Sequence, residues 1–211
     1  KDGQQPYVWS RRDAAEGWQC NVCDGISYSE NVGSGKGSYA GLSTLTFIVH
    51  LEAQDEVFIA AYPPYTYTML QHFLTQLEQH SEAGRHIVQS ELCRSVTALA
   101  IPVLVVSQDA AEKVSQVKGQ QRQTRLLDGF VAGAPLTNRR IIVISARQHP
   151  GEVVASFAMQ GLLRFLLGPS TAAEMLRESF EFHILPMVNV DGVVYGNSRC
   201  TWSGVDPNRV W

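Results

Sequence analysis

The stretch from Arg139 to Phe165 constrains this chain more than any other: an apolar run, Ile141-Ile142-Val143-Ile144-Ser145-Ala146, leads into His149-Pro150-Gly151-Glu152 and then into a helical pattern. A continuous apolar run at residues 141–144 predicts a strand buried on both faces, as in a parallel or mixed sheet flanked by helices. From Val154 the apolar positions fall at Val154, Phe157, Ala158, Gly161, Leu162, Phe165 and Leu166, the spacing of one helical face. Pro150 and Gly151 therefore occupy the strand-to-helix turn, where a fixed φ and a permissive residue are both useful. His149 and Glu152 then project from the carboxyl end of a central strand, the end at which open α/β sheets keep their ligands.

A neutral imidazole and a carboxylate are ordinary zinc ligands, and a hydrolytic zinc site needs three protein ligands with a fourth position open to water. The His-x-x-Glu spacing supplies two of the three. A His and a Glu three apart also occur by chance in many chains, where they serve as surface or capping residues. Placement directly after a buried strand is what turns this pair toward a metal.

Length and composition fit a globular protein with one large domain or two small ones: 211 residues, 45% hydrophobic and 18% charged. Seventeen basic against twenty acidic side chains leave a formal charge of −3, no general reason to expect nucleic acid or an anionic membrane as partner. The most apolar helical stretch is interrupted by Gln160 and Arg164, short of a membrane span, and Lys1 to Asp13 carry no signal-peptide core. Cys20, Cys23, Cys93 and Cys200 lack the dense spacing of a disulfide scaffold. Cys20-Asn-Val-Cys23 has no second Cys-x-x-Cys or His pair to complete a zinc knuckle, so all four read as reduced thiols of a cytosolic protein.

Along the chain, residues 1–40 read as polar and irregular, with Gly33-Ser-Gly35-Lys-Gly37 a loop that no strand precedes and that is therefore a poor phosphate cradle. Alternation at Leu45, Phe47, Val49 and Leu51 predicts a half-buried strand that turns at residues 53–56 and pairs back as a hairpin with a strand from Val57 to Ala61. Tyr62-Pro-Pro-Tyr65-Thr-Tyr67 should be extended, its tyrosines serving as a plug between domains or a peptide-binding surface. Thr68 with Gln71 predicts a capping box opening a helix on Leu70, Phe73, Leu74 and Leu77. One or two strands follow between Glu91 and Ser107, then a polar interval from Gln108 to Asn138 suited to an exposed insertion with a short helix or hairpin. After the central strand and its helix, Thr171 with Glu174 opens another helix, and Phe180–Val188 forms a further strand joined by a crossover. The fold class is thus α/β, an incomplete mixed sheet with flanking helices preceded by a small antiparallel, β-sandwich-like domain. The boundary falls near residue 90, giving domains 1–90 and 91–211.

A second informative region is Pro186-Met-Val-Asn189-Val-Asp191-Gly192, Gly196-Asn-Ser-Arg199-Cys200 and Gly204-Val-Asp-Pro-Asn208-Arg209. Asn189, Asp191 and Gly192 are turn formers, and Arg199 and Arg209 each bring a fixed cation with a bidentate fork, suited to a carboxylate or a developing oxyanion. Either arginine taken alone reads as a surface ion pair. Together with Ser145-Ala-Arg-Gln-His-Pro-Gly-Glu152 these motifs resemble the zinc metallocarboxypeptidases, and more narrowly their cytosolic branch, the tubulin deglutamylases. Ala61-Tyr-Pro-Pro-Tyr-Thr-Tyr67 resembles the aromatic motif of that branch's amino-terminal β domain. The resemblance runs from about Trp18 to Trp211.

It implies that His149 and Glu152 are the first two ligands of one zinc ion, that Arg199 polarises the scissile carbonyl, and that Asn208 and Arg209 grip the substrate's terminal carboxylate. The substrates it implies are acidic protein tails, polyglutamylated tubulin above all, and the location cytoplasmic, near microtubules or cilia. Val190 departs from the usual proline, Gln148 from an aliphatic residue, and Pro207 precedes the Asn-Arg pair, but no reacting group is lost. The third zinc ligand and the catalytic glutamate are expected beyond Trp211, in the remainder of a longer protein of which this chain is a piece. Two other readings stay open: a catalytically inactive scaffold or binding module of the same fold, and a zinc deacylase acting on small N-acyl amino acids.

Overall fold

The computed structural model describes residues 5–30, 43–79, 83–120 and 137–210, with the backbone alone for 116–120. The loop at Gly33–Gly37 and the segment around Gly133-Ala-Pro135 lie outside the described residues. Two compact units are present, Lys1–Pro64 and Tyr65–Trp211.

Among the described residues the first unit holds two antiparallel strand pairs. β1 (Tyr7–Ser10) pairs with β4 (Val57–Ala60), and β2 (Asp24–Glu30) pairs with β3 (Ser43–Ile48). The antiparallel character agrees with expectation, but the pairing does not: the predicted hairpin of β3 with β4 is replaced by partners from residues 1–40, which had read as irregular. Polar sequences such as Asp-Gly-Ile-Ser-Tyr-Ser-Glu can still form a strand when a partner satisfies their backbone, and β2 is mostly exposed. Asp24 meets His50 at 3.1 Å, an exposed pair just past the end of β3.

Among the described residues the second unit is built on a four-stranded mixed sheet. β5 (Ile87–Arg94) and β6 (Ala100–Val106) form an antiparallel hairpin, β8 (Phe180–Leu185) adds antiparallel to β6, and β7 (Arg140–Ser145) adds parallel to β8. Among the described residues the helices are α1 (Tyr67–Gln79), α2 (Ala110–Gln120), α3 (Val154–Leu166), α4 (Thr171–Ser179) and the short α5 (Val190–Val194). Leu70, Phe73 and Leu74 of α1, Leu104 and Val106 of β6, Leu163 and Leu166 of α3, and Phe182 and Ile184 of β8 make one buried cluster. Because α1 contributes to that cluster it belongs to the second unit, so the compact units divide about 25 residues earlier than the boundary drawn near residue 90.

Three local expectations change. β7 is not buried on both faces: among the described residues it bonds to β8 alone, and Val143 is 67% exposed. The buried face of α3 is Ser156, Met159, Leu163 and Leu166, whereas Val154, Phe157 and Phe165 are exposed. That helix is apolar nearly all round, so periodicity could not choose its inner face; polar partners for Ser156 and Gln160 chose it. The caps also sit before the predicted ones. Thr66 Oγ accepts from the Met69 amide at 3.1 Å, and Ser170 caps α4 through the Ala173 amide. In the Tyr-Pro-Pro-Tyr-Thr-Tyr segment, Tyr65 is buried in the second unit's own core and Tyr67 donates to the Ala100 carbonyl at 2.8 Å; Tyr62 is exposed.

Candidate functional site

Beyond the ends of β7 and β8 the two chains stay in register: the Ala146 amide donates to the Leu185 carbonyl, Val188 to Ala146, and Asn189 to Arg147. This ladder sets the His149 turn beside the Asn189 turn. Arg147 adopts φ +57°, a left-handed conformation that costs a non-glycine residue about 1–2 kcal/mol and turns the chain sharply away from the strand direction. His149 follows, buried, and Glu152 sits at the mouth of α3 with its side chain largely exposed.

The two predicted ligands face each other, His149 Nδ1 to Glu152 Oε1 at 2.9 Å. The other ring nitrogen, Nε2, is 3.1 Å from Asp206 Oδ1. A carboxylate accepts, so Nε2 carries a hydrogen toward Asp206, and the 3.4 Å approach of the Asn208 amide nitrogen to Nε2 is a contact between two donors. Two carboxylates on one imidazole leave a position between Nδ1 and Oε1 that only a cation, a proton or a metal, can occupy without lone pairs opposing each other. Nitrogen and oxygen donors of this kind fit zinc, with Asp206 orienting the ring from behind as carboxylates do for metal-bound histidines. Among the described residues no group of three or more His, Cys, Asp or Glu side chains is arranged to hold a metal.

Asp206 also ties in Arg199, whose Nε donates to its Oδ2 at 2.6 Å. That guanidinium, followed by the Asn208 amide and His149, outweighs desolvation and holds the Asp206 carboxyl down at about 2. The same carboxylate caps the single turn Pro207–Arg209, accepting from the Asn208 amide at 2.9 Å, and Pro207 occupies the first helical position where its missing N–H is harmless. Asp206 is thus the hub joining His149, Arg199 and Asn208. Within Gly-Val-Asp-Pro-Asn-Arg no spacing marks this role for Asp206; the local signal is the Asp-Pro pair, which suits a cap.

The loop carrying Arg199 is assembled by close approach. The Gly151 amide donates to the Ser198 carbonyl at 2.7 Å, and a Cβ on Gly151 would lie 2.7 Å from that oxygen. A Cβ on Gly192 would lie 2.4 Å from Pro150 Cγ. Gly151 is required for space, not for an unusual φ, which corrects the reading of it as a permissive turn residue. Asn189 caps α5 through the Gly192 amide and donates to the carbonyls of Gln148 and Cys200; Asn197 donates to those of Cys200 and Thr201. Behind them, buried Asp191 accepts from the hydroxyls of Ser95 and Thr97, each at 2.6 Å. Burial pushes its carboxyl pKa up, but these bonds outweigh it and the net shift is downward.

The structure therefore brings His149, Glu152, Arg199 and Asn208 together around Asp206. Arg209 stays exposed, its guanidinium donating to the Asn208 carbonyl at 3.1 Å. His183 is engaged by Glu181 at 2.7 Å on β8. All four cysteines are free. A cavity of about 350 Å³ in the first unit, lined by Ser10, Arg12, His50 and Asp55 among others, contains none of these site residues. No described helix is long and apolar enough to cross a membrane.

The zinc carboxypeptidase family profile matches residues 73–211. Cytosolic carboxypeptidase 1 of Xenopus laevis is 37% identical over 99% of this chain and the human protein of that name 33% over 99%; the chain spans 17% of the length of each. Cytosolic carboxypeptidase 2 of Danio rerio is 33% identical over 98% of the chain, which spans 26% of it. Two solved metallo-carboxypeptidases, from Burkholderia cenocepacia and Pseudomonas aeruginosa, share the fold at TM-score 0.63 each, with 24% and 20% identity, 99% of this chain and 44% and 43% of theirs covered. On the match across residues 73–211, the chain belongs to the zinc carboxypeptidase family, and its likeness within that family is to the cytosolic carboxypeptidases.

Proposed function

We propose that this chain is part of a zinc-dependent metallocarboxypeptidase that removes glutamates, C-terminal or side-chain-branched, from acidic protein tails such as polyglutamylated tubulin. The observation that carries the reading is the convergence of His149 Nδ1 and Glu152 Oε1, with the far side of the ring held by Asp206. His149 and Glu152 would hold the zinc, which supplies a Lewis acid for the carbonyl and lowers the pKa of a bound water. An amino-terminal β-rich domain precedes the first part of the peptidase domain; the compactness of Tyr65–Trp211 and the family match from residue 73 favour a boundary near residue 65 over one near residue 90, with α1 in the peptidase part. The third ligand and the catalytic glutamate belong to the remainder of the protein.

Charge and reach support the proposed roles of the chain's own residues. Arg199 uses Nε on Asp206, so its terminal NH2 groups are the ones that meet a substrate oxygen and stabilise charge as it develops. Asn208 and the exposed Arg209 bind the free carboxylate of the terminal residue, Arg209 through its bidentate fork. Acidic tails suit two exposed cations on an otherwise weakly acidic chain, and the cytosolic name of the relatives supports a cytoplasmic location; a place near microtubules or cilia would follow only from the proposed tubulin substrate. The test is glutamate release by the full-length protein from a polyglutamate-tailed peptide, with and without chelator. Release that stops with chelator, with His149→Ala, and on amidating the tail is expected. Equal turnover of amidated and free-acid tails would remove the assignment of Arg209, and turnover by His149→Ala the metal reading.

A further inference from the structure

Arg147 is not absorbed by the proposed reaction, yet it is the most heavily bonded side chain near the site. It is buried, and its guanidinium donates to the Pro150 carbonyl through Nε at 3.0 Å and Nη2 at 2.6 Å. The other terminal nitrogen, Nη1, donates to the Tyr65 carbonyl at 3.1 Å and to Ser156 Oγ at 2.9 Å. All three partners are neutral oxygens, which is unusual for a buried cation and would be costly if the bonds served packing alone. The three partners lie on three pieces of structure: the turn between His149 and Glu152, the segment entering α1, and the first turn of α3. Arg147's own carbonyl accepts from the Asn189 amide, joining a fourth. Tyr65 reinforces the same junction, its ring edge-on to Phe157 at 5.3 Å and its hydroxyl accepting from Gln160 at 2.7 Å.

We propose that Arg147 is a positioning residue that presets His149 and Glu152 for zinc by clamping the Pro150 carbonyl to α3 and to the Tyr65 backbone. Resting on the metal reading above, it adds the device that makes the two donors converge before the metal arrives. The left-handed φ of Arg147 serves this: it turns the side chain back over the following residues so that one fork reaches a carbonyl three positions on. A positive charge this close to the metal site opposes a dication, so positioning and electrostatics make opposite predictions for its removal.

The experiment is zinc affinity of the full-length protein by competition with a chromophoric chelator, beside thermal unfolding of the apo-protein. Arg147→Lys keeps the charge and loses the fork; Arg147→Met loses both. Both should weaken zinc binding by about 10- to 100-fold, the range for residues that orient metal ligands. Leu77→Ala, which loosens α1 against the core away from the turn, should lower the unfolding temperature and leave zinc affinity unchanged. Ser156→Ala, removing one bond of the four, should weaken zinc about threefold to tenfold and carries the test if the Arg147 variants do not fold. Tighter or unchanged zinc binding in the folded variants, or an equal loss in Leu77→Ala, overturns the proposal. Wild-type protein that binds no zinc overturns instead the metal reading on which it rests.

Discussion

Replacing Gly151 by Ala should separate metal binding from catalysis. The new Cβ would stand 2.7 Å from the Ser198 carbonyl oxygen and 3.2 and 3.3 Å from its Cα and carbonyl carbon, all backbone atoms. Ordinary contact needs about 3.5 Å, so one side must retreat by about 0.8 Å. On one side the turn is gripped by Arg147 and continues into α3; on the other, Ser198 and Arg199 lie on an exposed loop. The loop gives way. Its retreat breaks the Gly151 to Ser198 bond and carries Arg199 off its position, at a stability cost of about 1–3 kcal/mol for overpacking. Since about 1 Å of misplacement costs on the order of 100-fold in rate, kcat should fall about 30- to 100-fold while zinc affinity, measured by chelator competition, stays within about threefold of wild type. Gly161→Ala is the control: no atom lies within 4 Å of its Cβ inside α3, so activity should hold and stability rise by about 0.4–1 kcal/mol. Wild-type kcat in Gly151→Ala, or loss of zinc with it, would show that the turn and not the loop is the compliant partner.

Other outcomes can be checked in the same protein. Arg199→Ala should lower kcat by about 100-fold or more with little change in KM, because an oxyanion contact acts in the transition state; a pure KM effect in steady-state kinetics would reassign it to ground-state binding. Asp206→Ala removes the acceptor behind His149 and the partner of Arg199, so zinc affinity should drop about 10- to 100-fold and kcat should drop with it; a zinc titration that matches wild type would deny it the hub role. Asp191 has its folded-state pKa depressed, so the stability it contributes is complete above the unfolded value, about 3.9, and is lost as pH falls through the folded value. The stability gap between wild type and Asp191→Asn, from urea melts at pH 6, 4 and 3, should therefore be constant above about pH 5 and shrink below pH 4. A gap that widens with acid would reverse the sign of that shift.

The meeting of His149 with Glu152 was legible in the sequence because it is written in a short spacing. His149 and Glu152 are three apart, Asn189 to Gly192 follow closely on the end of a strand, and Arg199 and Arg209 come within the next 17 residues. The mixed α/β class was readable for a similar reason, since each element's period is local. What only the tertiary structure decided involves partners far along the chain. Arg147 meets Tyr65 across 82 positions and His149 meets Asp206 across 57, and no local pattern marks either pair. The inner face of α3 could not be chosen by hydrophobic period in a helix with apolar residues on most of its circumference; Arg147 and Tyr65 chose it by binding Ser156 and Gln160. The strand pairs of the first unit reversed the expected hairpin because backbone groups pair wherever a partner strand arrives, whatever the polarity of the side chains. Even Gly151, correctly placed in a turn by sequence, owes its identity to the Ser198 carbonyl pressing against it from 47 residues away, a contact that exists only once the two loops are folded together.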